Sequence, residues 1–196
     1  MSTKKAIGAA LIMFFSIGVA YAGDTIRWDI VLLNPGTCPI PGGTASALAR
    51  DLSKITVTGS GTFVVSSSRN DSTHAVTGGG TWMTVNASGA ATGGGFYTVT
   101  DLVRWERAPG TNPCTPDSID GIKSPGLAVL KINYDDGTEG VLTVSCRLVG
   151  SPTSIFEGIA ASKEYVAYYR NVEPVAGVNA NRTLFHIQKG DGTDKD

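Results

Sequence analysis

Three cysteines, two histidines, several glycine clusters and a scatter of acids are the residues of this 196-residue chain whose types invite chemistry. Cys38 lies among Pro35, Pro39 and Pro41, and Cys114 lies between Pro113 and Pro116. Cys146 falls in phase with Leu142, Val144 and Leu148, which marks it as a small buried hydrophobe. The favoured disulfide is therefore Cys38–Cys114, pinning two proline-rich loops together. Cys114–Cys146, Cys38–Cys146 and no bond remain as alternatives. No Cys-x-x-Cys occurs, so neither a structural zinc nor a redox dithiol has a motif to rest on.

The histidines, His74 and His186, are far apart and carry no His-x-His or His-Glu-x-x-His spacing. His74 sits in a polar stretch that reads as a solvated loop. His186 opposes the face of Phe185 and Ile187, so it is expected to point to solvent. The glycine clusters at Gly59, Gly78 and Gly93 lack the Gly-Lys-Ser/Thr ending with which a phosphate loop reaches its nucleotide. No Gly-x-Ser-x-Gly elbow is present. Asp101, Glu106, Glu157 and Glu164 are available for glycoside hydrolysis, which needs two acids facing across a cleft, but no spacing singles out a pair. Asp135-Asp136-Gly137 has oxygens for calcium yet lacks the alternating ligands of an EF-hand loop, and reads as a turn. No cofactor is implied.

Aromatics are the remaining candidates. Trp82, Tyr168 and Tyr169 are the rings named as possible binding residues, able to stack on a sugar or anchor a partner protein. Against that, Trp82 and Trp105 lie in strand-like stretches where core packing is the ordinary role. Tyr168 and Tyr169 are neighbours, so a strand must send them to opposite faces.

The elements that would position these residues read as strands. Ile55–Val65 alternates apolar and polar residues around a glycine break, and Tyr97–Trp105 does the same with an irregularity near Asp101. The clearest signal is Ala128, Leu130, Ile132 and Tyr134, then Asp135-Asp136-Gly137-Thr138, then Leu142, Val144, Cys146 and Leu148. Two alternating runs joined through Asp-Gly form a hairpin, because glycine accepts the positive φ of the turn. Further strands are expected over 25–33, 80–85, 155–161, 165–170 and 183–188. Thr44–Leu52 is the one helix candidate, from its alanines, leucines and a capping threonine. Three units, beginning at Thr58, Thr77 and Thr92, each run through glycines to an aromatic, as bends of a meander would. The expected fold is all-β: an antiparallel β-sandwich, with a closed β-barrel as the alternative.

The N-terminus reads as an export signal. Lys4 and Lys5 precede the apolar stretch 6–20, and Ala20-Tyr21-Ala22 matches a cleavage site. The apolar stretch is shorter than the roughly 20 residues a spanning helix needs. The expected organisation is a signal peptide (1–22), one β domain (23–188) and a polar disordered tail (189–196). Sequons begin at Asn70, Asn86 and Asn181, and matter where an exporting host glycosylates.

Sixteen Lys and Arg against seventeen Asp and Glu provide no excess of positive charge for a nucleic-acid partner. No later segment is apolar enough to span a membrane. The expectation is a secreted or periplasmic, non-enzymatic β-module for binding or surface assembly, whose partner is a glycan or a cell-surface protein. A secreted carbohydrate-active hydrolase and a filament or coat subunit assembling by strand addition are the alternatives.

Overall fold

The computed structural model describes residues 23–33, 38–65, 75–172 and 180–190. Residues 1–22, expected from the sequence to direct export, and His74 and Asn70 lie outside the described residues. Among those described there is no helix, and the strands form one large antiparallel sheet that does not close into a barrel, consistent with a β-sandwich-like fold.

The strands are β1 (Asp24–Leu32), β2 (Ile40–Pro41), β3 (Ala45–Leu48), β4 (Lys54–Val57), β5 (Ser60–Val65), β6 (Val76–Val85), β7 (Ala91–Arg107), β8 (Ile122–Ser124), β9 (Gly126–Tyr134), β10 (Glu139–Cys146), β11 (Gly158–Lys163), β12 (Val166–Tyr168), β13 (Arg170–Asn171) and β14 (Arg182–Gln188). The main path runs β12-β11-β10-β9-β7-β6-β5-β1-β14-β8. A branch, β13-β3-β4, joins at β6.

The β9–β10 hairpin forms where the alternation places it. Leu130 opposes Leu142 and Ala128 opposes Val144, all fully buried. Gly137 takes φ 85° in the turn, and the Asp136 carboxylate accepts from the Thr138 N–H and hydroxyl at 3.1 and 2.7 Å. The irregularity expected near Asp101 is a pair of register shifts in β7, between Val99 and Asp101 and between Leu102 and Arg104. These shifts let one long strand pair with β6 through its first half and with β9 through its second.

The glycines mark a fork. β4 and β5 run in line along β6, but β4 carries β3 on its other edge while β5 carries β1. The break falls at Gly59. Gly78 has φ 116°, and a Cβ on Gly80 would run into the Thr58 carbonyl, so the backbones approach as only glycine permits. Beyond the fork the two parts of the sheet face each other. Trp105 of β7 packs on Phe63 of β5 at 5.5 Å and on Phe185 of β14 at 4.6 Å between ring centroids. Trp28, Ile30, Leu130, Leu142 and Ile159 complete the core.

One element is corrected. Thr44–Leu52 forms no helix: its first half is β3, and Ala49–Ser53 closes a turn into β4. Ala45 and Ala47 are fully buried while Ser46 and Leu48 are not, a period of two. Alanine's helix preference is a few tenths of a kcal/mol per residue over its competitors, and pairing with both β4 and β13 overrides it. Ser53 donates to Asp51 through its N–H (3.0 Å) and hydroxyl (2.6 Å), fixing the turn.

Candidate functional site

The exposed aromatic surface lies around β12. A two-residue turn, Glu164-Tyr165, joins β11 to β12, with Lys163 opposite Val166. Glu164 takes φ 52° there, and Tyr165 stands out from the turn, 92% exposed. Along the strand the side chains then alternate. Tyr168 turns inward and Tyr169 outward, 60% exposed. From the other side the β3–β4 turn brings Ala49, Arg50 and Asp51. Together with Val166 and Ala167 these line a groove of about 500 Å³ flanked by the two tyrosines. Hydrogen bonds from Ser53, through its hydroxyl and N–H, hold the Asp51 carboxyl below its ordinary value, so it presents a negative charge at the rim.

Of the three rings named from the sequence, only Tyr169 is at the surface. Trp82 and Tyr168 are each 5% exposed, so neither offers a face to a ligand. Trp82 is enclosed on several sides. Its Nε1 donates to Asp135 at 3.1 Å, the Tyr134 ring packs edge-on at 5.4 Å, and the Lys163 Nζ sits 4.6 Å from its centroid. Lys163 also pairs with Asp136 at 2.5 Å and donates to Thr138 at 2.8 Å. Those two partners hold the Asp136 carboxyl down at about 2. The Asp-Asp-Gly turn thus uses its acids to clasp an indole and an ammonium. Among the described residues no group of three or more His, Cys, Asp or Glu is placed to hold a metal ion. Tyr165 was not among the three named rings: the strand expected over 165–170 begins only at Val166, and Tyr165 occupies the turn before it.

The Cys38–Cys114 bond forms, with 5.4 Å between Cα atoms, and Cys146 is free and fully buried. The bond pins the segment 108–121, which links β7 to β8, over the outer face of β1 and β14. This corrects the reading of His186. The ring does oppose Phe185 and Ile187, but that outer face is covered and His186 is completely buried. Its Nε2 lies 3.0 Å from Oδ2 of Asp117, a residue of the covering segment. Nδ1 has no hydrogen-bond partner among the described residues. Lys123, directly opposite His186 on β8, reaches Asp117 at 3.3 Å and donates to the Cys114 carbonyl. On β1, Arg27 lies opposite His186, and Asp29, fully buried, holds it in a two-pronged pair at 2.8 and 2.9 Å. Burial opposes charge on Asp117, but the His186 ring, the Ile119 N–H and Lys123 together keep its carboxyl below the ordinary range.

The other acids named from the sequence are dispersed. Asp101 pairs with Lys131 at 2.8 Å and Glu106 with Arg104 at 2.9 Å, both at the surface. Glu164 joins Glu139 along a second groove of about 500 Å³ that also includes Thr100, Lys131 and Asn133. Glu157 is 4% exposed. It accepts from the Arg147 N–H just past β10 at 2.5 Å and from the Thr183 N–H of β14 at 2.8 Å. Burial pushes its carboxyl up to about 7, against the pull of those two N–H groups and of Arg182. Asn181, at the third sequon, is also buried, and its side-chain oxygen accepts from the Ser46 N–H at 2.7 Å. Asn86 of the second lies in an exposed turn.

Comparison with protein-family models, with curated proteins and with solved structures finds no match to the chain.

Proposed function

We propose that this protein is exported and acts outside the cytoplasm as a binding module, taking a saccharide across Tyr165 and Tyr169. The observation that carries the reading is the pair of exposed tyrosines flanking a groove with Arg50 and Asp51 on its wall. A ring face is apolar and flat, as is the C–H face of a pyranose, and a guanidinium and a carboxylate beside it suit the hydroxyls. Two chain features support export. The first 22 residues have the charged, apolar and small-residue order of a secretory signal. The Cys38–Cys114 disulfide suits an oxidising compartment, and no helix among the described residues is long and apolar enough to cross a membrane.

The test is a glycan array on the processed protein beside the Tyr165→Ala, Tyr169→Ala and double variants. Each single substitution is expected to lower retention about fivefold, since stacking contributes on the order of 1 kcal/mol per ring. Stability should stay within about 0.5 kcal/mol, because both rings are solvent-facing. Undiminished retention by the double variant refutes the assignment. N-terminal sequencing of the exported material, beginning at Gly23, checks the signal.

A further inference from the structure

We propose that the segment 108–121 is a redox-released strap over a latent polar site centred on His186, beside the Arg27–Asp29 pair. Three observations carry it. First, the strap contributes little to the core. Ile119 is its one buried side chain, and the segment contains no strand beyond a single bridge from Thr111 to Val149. Second, what holds its middle is covalent and polar: the Cys38–Cys114 bond, the Asp117–His186 contact and the two contacts from Lys123. Third, what it covers is not wholly apolar. His186 is fully buried beneath it, on the face that also carries Leu184, and one of its ring nitrogens has no hydrogen-bond partner among the described residues. A buried polar atom without a partner costs on the order of one hydrogen bond, and the ordinary solution on an outer sheet face is to leave it in water. The cover keeps it dry, and the cover is fastened by the one bond in the molecule that a reductant cleaves.

The releasing step is thiol–disulfide exchange with a dithiol. The S–S bond breaks and Cys38 and Cys114 each gain an electron and a proton. The dithiol loses both and closes to its own disulfide. With the bond open, the strap remains anchored at β7 and β8, and its middle lifts. His186 then meets solvent alongside Arg27 and Asp29. A histidine, a guanidinium and a carboxylate on one sheet face form a site for an anionic or hydroxyl-bearing ligand in the reduced state alone.

Cys146 makes the test decisive, because its buried thiol reports any opening of the core. The processed protein is treated with diethyl pyrocarbonate, oxidised and after exposure to dithiothreitol, and acylation of His186 is read by peptide mass. After removal of the dithiothreitol, Cys146 alkylation by iodoacetamide is followed in parallel on its own peptide by mass. The Cys38→Ser/Cys114→Ser variant is carried through the same measurements. The expected result is at least a tenfold faster acylation of His186 once the bond is gone, with Cys146 still protected. Two outcomes overturn the proposal. His186 stays protected in the reduced, folded protein; or His186 and Cys146 become reactive together under every reducing condition and in the variant, in which case the strap has no motion apart from unfolding.

Discussion

Two carboxylates in this protein are withdrawn from water in different company. Asp117, on the strap, faces an imidazole and an ammonium, and its carboxyl is held below the ordinary range. Glu157 lies at the junction of β10 and β14, and the hydrogen bonds it accepts come from the Arg147 and Thr183 N–H groups and the Thr183 hydroxyl. Its carboxyl is pushed up to about 7. Burial acts in the same direction on both. Glu157 is the more deeply buried of the two, and desolvation there outweighs the Arg182 charge and the N–H groups, whereas at Asp117 the imidazole, the Ile119 N–H and the ammonium together outweigh it. The sites also differ in what fastens them. The strap is held by a bond between residues 76 apart in sequence, whereas the junction is held by hydrogen bonds, to the Glu157 carboxyl and from the Thr183 hydroxyl to the Ser145 carbonyl.

Removing the disulfide breaks the first site and spares the second. Closing a 76-residue separation withdraws about 4 kcal/mol of entropy from the unfolded chain. Cys38→Ser/Cys114→Ser is expected to lose about that much in urea unfolding, with Cys146 still buried in the folded fraction. A loss under about 1 kcal/mol would show that the strap's polar contacts, rather than the bond, order the loops. Glu157→Ala breaks the second site and spares the first. It leaves two backbone N–H groups without their acceptor in a buried place, which costs about 3 kcal/mol in all. Glu157→Gln, which keeps one acceptor oxygen, should recover part of that. If the alanine variant is as stable as the parent, water has taken the carboxylate's place and the junction is not closed by Glu157.

How far each region was legible follows from the reach of its contacts. The β9–β10 hairpin and the irregularity near Asp101 were visible because alternation and Asp-Gly chemistry act over a few residues. The disulfide was visible because two proline-rich loops left Cys146 as the residue in phase with a strand. His186 was misplaced although its face was read correctly: Asp117 and the strap come from 69 positions away, and nothing near His186 announces a cover. Trp82 and Tyr168 were legible in part: core packing was the ordinary role for Trp82 and one of Tyr168 and Tyr169 had to turn inward, but which of the two does so is set by the distant turn at Ser53. The helix expected at 44–52 failed for a related reason, since its alanines are read by propensity locally and by β4 and β13 in the fold. Glu157 was one acid among several until topology brought Arg147 and Thr183 to it.

The smallest expected effect sharpens the contrast through its sign. Glu157 has a folded value of about 7 against an ordinary 4.5, so between those values the folded chain binds more protons than the unfolded one. Stability from this group is complete below about 4.5 and is lost as pH rises through 7, so acidifying from pH 7 to 5 should add about 2 kcal/mol. Asp117 runs the other way. Its lowered carboxyl supports the fold above the ordinary carboxylate range, and that support fades as pH falls through its folded value. Stability should therefore rise from pH 7 to about 5 and decline below about 4. Urea unfolding across this range, on the parent and on Glu157→Gln, checks the assignment. The glutamine variant should lose the rise and keep the acid decline, because it removes the titrating group and leaves the strap intact. A rise that persists in Glu157→Gln would mean that another group titrates there and that Glu157 does not carry the raised value.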